Sequence, residues 1–587
     1  MLLHSFTSWL AAASVALALP RADPPAPVLV ERQDGACTNT PQTRQCWSEG
    51  YSISTDFDAK SPPDGTTVTY DLEISNTTIP NPDGSGGKRP VMLINGVYPG
   101  PLIRAKWGDT IVVNVKNNLQ HNGTGIHWHG LRQLNSCQHD GVPGVTECPI
   151  APGKTRQYKF RATQFGTSWY HSHWSAQYGD GIVGPMIIEG PATANYDVDL
   201  GALPITDWYY TPALTLNEVA QHSTRGPPAP DNILVNGTHK SGPNQGSYAK
   251  MNVVKGKKYR IRIINTSVDS YFTVSMDGHP FTVITADFVP IKKWTTNQLT
   301  LAIGQRYDVV IEANQTVGNY WFRVQPATEC GGNSILTKGI QLGAVLHYDG
   351  AENADPAPST STVTLNTLCR DEATSSLVPF VPNQVPTDIV SQAGKIDLKS
   401  SQNTTTKLFR WLIDGTPHIV DWNNPTLETI LAGSQDFGIN SNVHSMQNKD
   451  AWYLWWIQST ATVQLAHPIH LHGHDYYILG SGTGVWDGST TGLNFNNPTR
   501  RDTATLPKNG YLLMAFPADN PGMWIAHCHI AWHASQGLSM QFGERYSDLQ
   551  GGSLGDRSGL KNGCDEWDQY WVAGNPNKPY EQTDSGI

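Results

Sequence analysis

The sequence predicts an all-β protein of three β-sandwich domains, and three observations support that prediction. Short runs alternate apolar and polar residues with period two, as in Thr110-Ile111-Val112-Val113-Asn114-Val115, Tyr259-Arg260-Ile261-Arg262-Ile263-Ile264 and Tyr307-Asp308-Val309-Val310-Ile311. Successive strand side chains point to opposite faces, so such runs read as strands. Helical periodicity is scarce, while 55 Gly and 40 Pro supply the turns that many short strands need. Finally, 587 residues exceed what one hydrophobic core organises, and a weak internal repeat marks separate units. Gly108-Asp109-Thr110, Gly256-Lys257-Lys258-Tyr259 and Asn509-Gly510-Tyr511-Leu512-Leu513 each lead into a strand.

Composition places the boundaries. Gly190-Pro191-Ala192 separates a first domain, 33–190, from a second, 191–350. A Pro/Ser/Thr-rich linker at 351–362 is poorly suited to packing and precedes a third domain, 363–560, and a tail, 561–587. Residues 1–18 read as an export signal, with an apolar core from Trp9 to Leu17 and small Ala16 and Ala18 at the cut site, although Lys and Arg are missing from its start. The stretch is too short to anchor in a bilayer. Residues 19–32 are Pro-rich and end in Glu31-Arg32, which reads as a short propeptide with the mature chain starting near Gln33. Six sequons, at Asn76, Asn122, Asn236, Asn265, Asn314 and Asn403, agree with a secreted, extracellular protein. The net charge is −10 and no long Lys/Arg block occurs, which argues against nucleic acid as a partner. No further stretch is apolar enough for a membrane span.

Chemistry concentrates in histidine. Of 20 His, ten lie in four short segments: His127-Trp128-His129, His171-Ser172-His173, His467-Pro468-Ile469-His470-Leu471-His472 and His527-Cys528-His529-Ile530-Ala531-Trp532-His533. Two His at i and i+2 on a strand share a face and can meet one metal together. One such pair is commonplace; four in one chain demand metal. Imidazole with a single thiolate suits copper or zinc, but structural zinc takes four ligands in a closed tetrahedron, usually with more Cys. A His2Cys set describes a blue-copper electron-transfer centre, and Cys528 with His533 and the distant His467 fits it. The remaining eight His suffice for three more coppers. In an extended segment Cys528 faces one way while His527 and His529 face the other, so covalent bonds join the two kinds of site. Such a link carries single electrons to a place where dioxygen needs four.

The four segments resemble, in order and residue type, the copper-binding motifs of blue multicopper oxidases, and their surroundings are similar to ascomycete laccases. Val91-Met92-Leu93-Ile94-Asn95-Gly96, Gly166-Thr167-Ser168-Trp169-Tyr170 and Arg500-Arg501-Asp502-Thr503 carry the likeness further, from about Cys37 onward. The resemblance implies three cupredoxin-like Greek-key domains and four copper ions, one type 1, one type 2 and two type 3. Type 1 copper would take His467, Cys528 and His533. Type 2 would take His127 and His470. One type 3 copper would take His129, His171 and His529, its partner His173, His472 and His527. The axial position falls on Leu538, which cannot ligate and so implies a higher potential than Met. The implied reaction is one-electron oxidation of phenols, including diphenols, methoxyphenols and lignin-related aromatics, coupled to reduction of dioxygen to water by a monomeric or weakly dimeric enzyme.

Phenol oxidation also releases a proton, and the resemblance assigns its acceptor to Asp269, in Asn265-Thr266-Ser267-Val268-Asp269. Asp140, before Gly141, resembles the family's acid near type 2 copper and implies a proton relay. Asp584-Ser585-Gly586-Ile587 is similar to a family terminus that enters a tunnel toward the trinuclear site, with Ile for Leu. The family pattern pairs Cys37–Cys46, Cys148–Cys564 and Cys330–Cys369; with Cys528 committed, Cys137 is left over from the eight Cys. The rivals are a pigment-pathway phenol oxidase or a ferroxidase of the same architecture. A copper-storage protein would leave the Cys between two His unexplained.

Overall fold

The computed structural model describes residues 37–328, 330, 339–357, 361, 363–571 and 582–587. The expected signal, propeptide and mature start lie outside these residues, as does part of the 351–362 linker. Three sandwiches follow one another along the chain. The first pairs a four-stranded sheet containing Thr67–Pro80 and Thr110–Asn117 with another containing Gly166–Ser172 and Ile126–Trp128. The second and third each pair a six-stranded with a five-stranded sheet. Neighbours in every large sheet are often non-consecutive, and the strand entering each sandwich runs parallel to a later one, as Thr67–Pro80 does with Thr110–Asn117. The architecture is all-β with cupredoxin-like sandwiches. Helices are short; Ser558–Tyr570, in the expected tail, packs Leu560 and Trp567 inward.

Burial explains how the domains join. The outer strand Thr155–Arg161 alternates exposed and buried residues, as a sheet with one wet face should. By contrast Gly166–Ser172, His467–Leu471 and Gly522–Cys528 are buried throughout, because domains cover both of their faces. One apolar cluster runs from Cys137, Trp169 and Trp174 of the first domain into Ile469, Trp524 and Trp532 of the third. The first and second domains keep cores of their own.

Disulfides join Cys37 to Cys46, Cys148 to Cys564, and Cys330 to Cys369. The second fastens the helix Ser558–Tyr570 to the first domain. Cys137 and Cys528 are free and buried. The Cys137 sulfur lies against the third domain and accepts a hydrogen bond from Met523 N at 3.3 Å. Asn76, Asn236, Asn314 and Asn403 are exposed and Asn122 is half-buried. Asn265, by contrast, is fully buried in the fold, and its amide donates to the carbonyls of Ser270 and Leu301 at 2.9 and 3.1 Å. Among the described residues no helix is long and apolar enough to cross a membrane.

Candidate metal centres

Strand register assembles the histidines. Ile126–Trp128 pairs antiparallel with Gly166–Ser172 so that His127 stands opposite His171. In the third domain His467–Leu471 pairs with Gly522–Cys528, setting His470 opposite His527 and Ile469 opposite Cys528. The two domains press these edges together, and eight imidazoles meet in three groups: His127, His129 and His470; His129, His171 and His529; His173, His472 and His527. Facing ring nitrogens approach to 3.5 Å between His470 and His127, 3.3 Å between His173 and His527, 3.4 Å between His472 and His527, and 3.3 Å between His529 and His129. A fourth group is separate. The sulfur of Cys528 lies 3.6 Å from His467 Nδ1 and 3.5 Å from His533 Nδ1, and those nitrogens are 3.1 Å apart.

In six of the eight imidazoles of the cluster the outward nitrogen is tied down, which fixes which nitrogen points inward, whereas His173 Nδ1 and His529 Nδ1 are buried without a partner. His472 Nδ1–H donates to the Asp140 carboxylate at 2.8 Å, and His127 Nδ1–H to the Asp140 carbonyl at 3.0 Å. His171 and His527 donate to the carbonyls of Ser172 and Cys528, each at 3.0 Å. His129 Nε2–H donates to Asp502 at 3.2 Å, and His470 Nδ1–H to the Asp502 carbonyl at 2.9 Å. Burial and mutual repulsion push His129, His171, His173, His472, His527 and His529 well below the ordinary imidazole range. Burial alone pushes His467 down to about 3. Neutral imidazoles thus converge with lone pairs facing one another, and His171 Nε2 is buried without a partner. Buried polar atoms are rarely left so; cations between them resolve it, and the donors are those that copper favours.

Several supporting residues escaped the sequence reading. Asp502 was visible only as part of the Arg500–Thr503 motif. It sits between His129 and His470, and Arg306 of the second domain bonds it at 2.7 Å. Burial would raise the Asp502 pKa, but Arg306 and the His hydrogen bonds hold it well below the usual carboxylate range. Gly304 backs the cluster at φ +87°, where a Cβ would lie 3.0 Å from both His129 and His529. Trp411 stands over both His467 and His533, with ring centres 4.7 and 4.9 Å away. These residues carry no metal-binding signature, and their partners lie from about thirty to nearly four hundred positions away.

The remaining expected residues fall around the same sites. Leu538 is buried and brackets two ligands through its backbone: its N–H donates to the His533 carbonyl at 3.0 Å, and its carbonyl accepts from Cys528 N at 3.1 Å. Asp269 lies in the turn after the strand Lys258–Asn265. The neighbouring Val268 carbonyl accepts from Ala531 N at 2.9 Å, at the start of the helix that carries His533. Desolvation, then the charge of Asp207, push the Asp269 pKa well above the carboxylate range. Residues 584–587 are buried. Ser585 N donates to the Ser535 carbonyl at 2.9 Å, and Ile587 lines a cavity of about 20 Å³ beside His171, His173, His527 and His529.

Multicopper oxidase family models match residues 42–193, 201–351 and 419–548, and the chain belongs to that family of copper-binding oxidoreductases. Within it the chain falls among the ascomycete laccases. It is 44% identical to Laccase-1 of Botryotinia fuckeliana over 100% of both chains. It is 44% identical to a laccase of Neurospora crassa, over 94% of this chain and 89% of that one. The crystal structure of a laccase from Botrytis aclada superposes with a TM-score of 0.86 at 42% identity, covering 94% of this chain and 100% of that chain.

Proposed function

We propose that this chain is a secreted laccase that oxidises phenols one electron at a time and reduces dioxygen to water. The observation that carries this reading is the continuity of His527-Cys528-His529. Cys528 belongs to the group with His467 and His533, while both flanking His belong to the eight-imidazole cluster. Four coppers fit this arrangement, one held by His467, Cys528 and His533 beside Leu538, one by His127 and His470, and two by the remaining six His. Bound copper supplies reversible one-electron transfer at the first site and dioxygen reduction at the others.

The protein's own residues do the rest. Trp411 covers His467 and His533, keeping water from that face of the site. Asp269 takes the phenolic proton as the electron leaves toward His533. Asp140 and Asp502 hold the inner ligands in one tautomer, and Asp140 is placed to pass protons toward the cluster. Residues 584–587 fill the mouth beside His173 and His527. The signal at 1–18, the sequons at Asn76, Asn122, Asn236, Asn314 and Asn403, and the disulfides fit export. The chain works as a monomer.

The deciding experiment compares dioxygen uptake on 2,6-dimethoxyphenol with uptake on ferrocyanide, which releases no proton. A laccase oxidises four phenols per dioxygen, and Asp269→Asn lowers the ratio of phenol to ferrocyanide turnover at least tenfold. A protein that binds copper without consuming dioxygen refutes the reading.

A further inference from the structure

The strands Val198–Trp208 and Lys258–Asn265 run parallel, with Ile205 opposite Asn265. Parallel strands end on the same side, so Asp207, two residues beyond Ile205, meets the turn that follows Asn265. Its carboxylate accepts Val268 N at 2.8 Å and Asp269 N at 2.9 Å, and Ser270 bonds it as well. Its own N–H donates to Ser267 Oγ at 3.1 Å, and Thr206 Oγ1 donates to the Thr266 carbonyl at 3.2 Å. Every residue from Thr266 to Ser270 is therefore bonded to the end of the first strand or lies between residues that are. The Asp269 carboxyl, in contrast, has no hydrogen-bond partner among the described residues, so its orientation comes from its backbone.

We propose that Asp207 is a positioning residue for phenol oxidation: it fixes the turn that presents Asp269 and sets a second carboxyl group beside it. The inference rests on the reading of Asp269 as the proton acceptor. The other groups facing Asp269 are the phenols of Tyr178, Tyr209 and Tyr271 and the sulfur of Cys528. All three phenols are held neutral by burial. Burial raises the Asp207 pKa too, opposed by the backbone N–H groups of Val268, Asp269 and Ser270 that its oxygens accept. The pair is unequal in geometry: the Asp207 oxygens are bonded to the turn, and the Asp269 carboxyl is left to exchange the proton. In the step itself the phenol loses its O–H proton to Asp269 and one electron to the His533 side, leaving a phenoxyl radical. Dioxygen is the final oxidant.

The test is the pH profile of 2,6-dimethoxyphenol turnover, divided at each pH by the same variant's ferrocyanide turnover. Copper content and blue absorbance are measured alongside. With the neighbouring carboxyl removed in Asp207→Asn, the acidic limb moves down by about one pH unit. Asp207→Glu keeps the carboxyl but displaces the turn, so KM for the phenol rises while the limb stays. Asp269→Asn abolishes the limb. If Asp269→Asn abolishes the limb and Asp207→Asn leaves it in place, the role of Asp207 is refuted. If Asp269→Asn itself keeps the limb, the reading of Asp269 fails instead. Should Asp207→Asn not fold, Asp207→Glu decides alone: an unmoved limb with raised KM supports the proposal, and a limb shifted down by about one unit overturns it.

Discussion

Replacing Gly304 with Ala isolates what the second domain contributes to a cluster whose ligands all come from the other two. Gly304 sits at φ +87°, and an added Cβ would stand 3.0 Å from His129 Cε1 and 3.0 Å from His529 Cδ2. Left-handed backbone costs a residue with a Cβ about 1–2 kcal/mol, and a methyl forced into a filled interior costs about 1–3 kcal/mol more. The sum, roughly 2–5 kcal/mol, falls on two imidazoles that face each other at 3.3 Å. Neither backbone can retreat easily: His129 N is bonded to the Trp169 carbonyl and His529 N to the Pro468 carbonyl. The expected result is a melting temperature lower by several degrees and fewer coppers per chain. Dioxygen reduction slows severalfold, because the two imidazoles must give way by a few tenths of an ångström and reacting groups are sensitive to such shifts. Anaerobic bleaching of the blue site by a phenol keeps its rate, since His467, Cys528 and His533 are not among the atoms the methyl meets. Copper analysis, thermal melts and stopped-flow bleaching measure the three quantities. A Gly304→Ala enzyme with full copper and native dioxygen uptake would refute the claim that Gly304 shapes the cluster.

Two further outcomes follow from burial. His418 is held neutral by burial, with a folded pKa of about 3. The unfolded chain protonates His near 6.5, so its stabilising effect is intact above that pH and is lost as pH falls toward 3, at up to about 1.4 kcal/mol per unit. His418→Gln should flatten the decline of melting temperature between pH 7 and 4, and an unchanged slope counts against the assignment. Copper-stripped, denatured protein should titrate two thiols, Cys137 and Cys528, with the six other Cys in the observed disulfides. Any other count contradicts that pairing.

Much of the site was legible because its chemistry repeats along the chain. His at i and i+2 report a shared strand face wherever they occur, and a Cys between two His announces a link between sites. The strand runs were equally readable, though not their surroundings. Arg260 and Arg262 alternate with Ile as if on a wet face, yet both are buried, bonded to Asp308 and Asp199. Asn265 matched a sequon but proved to be an internal tie of its turn. Composition has no term for a face covered by another domain.

By itself the sequence determined the all-β class and marked out the ten His and single Cys of the candidate centres, through local periodicity and motifs that fit within a few residues. Asp269, Asp140 and Leu538 were marked by the resemblance to laccases. Only the tertiary structure decided which imidazoles face one another, that Asp502 with Arg306 braces two of them, that Gly304 backs two of them at close range, and that Asp207 grips the turn of Asp269. Those facts depend on strand register and domain contact, which bring together residues up to several hundred positions apart. A chain's local pattern does not encode such distances; packing does.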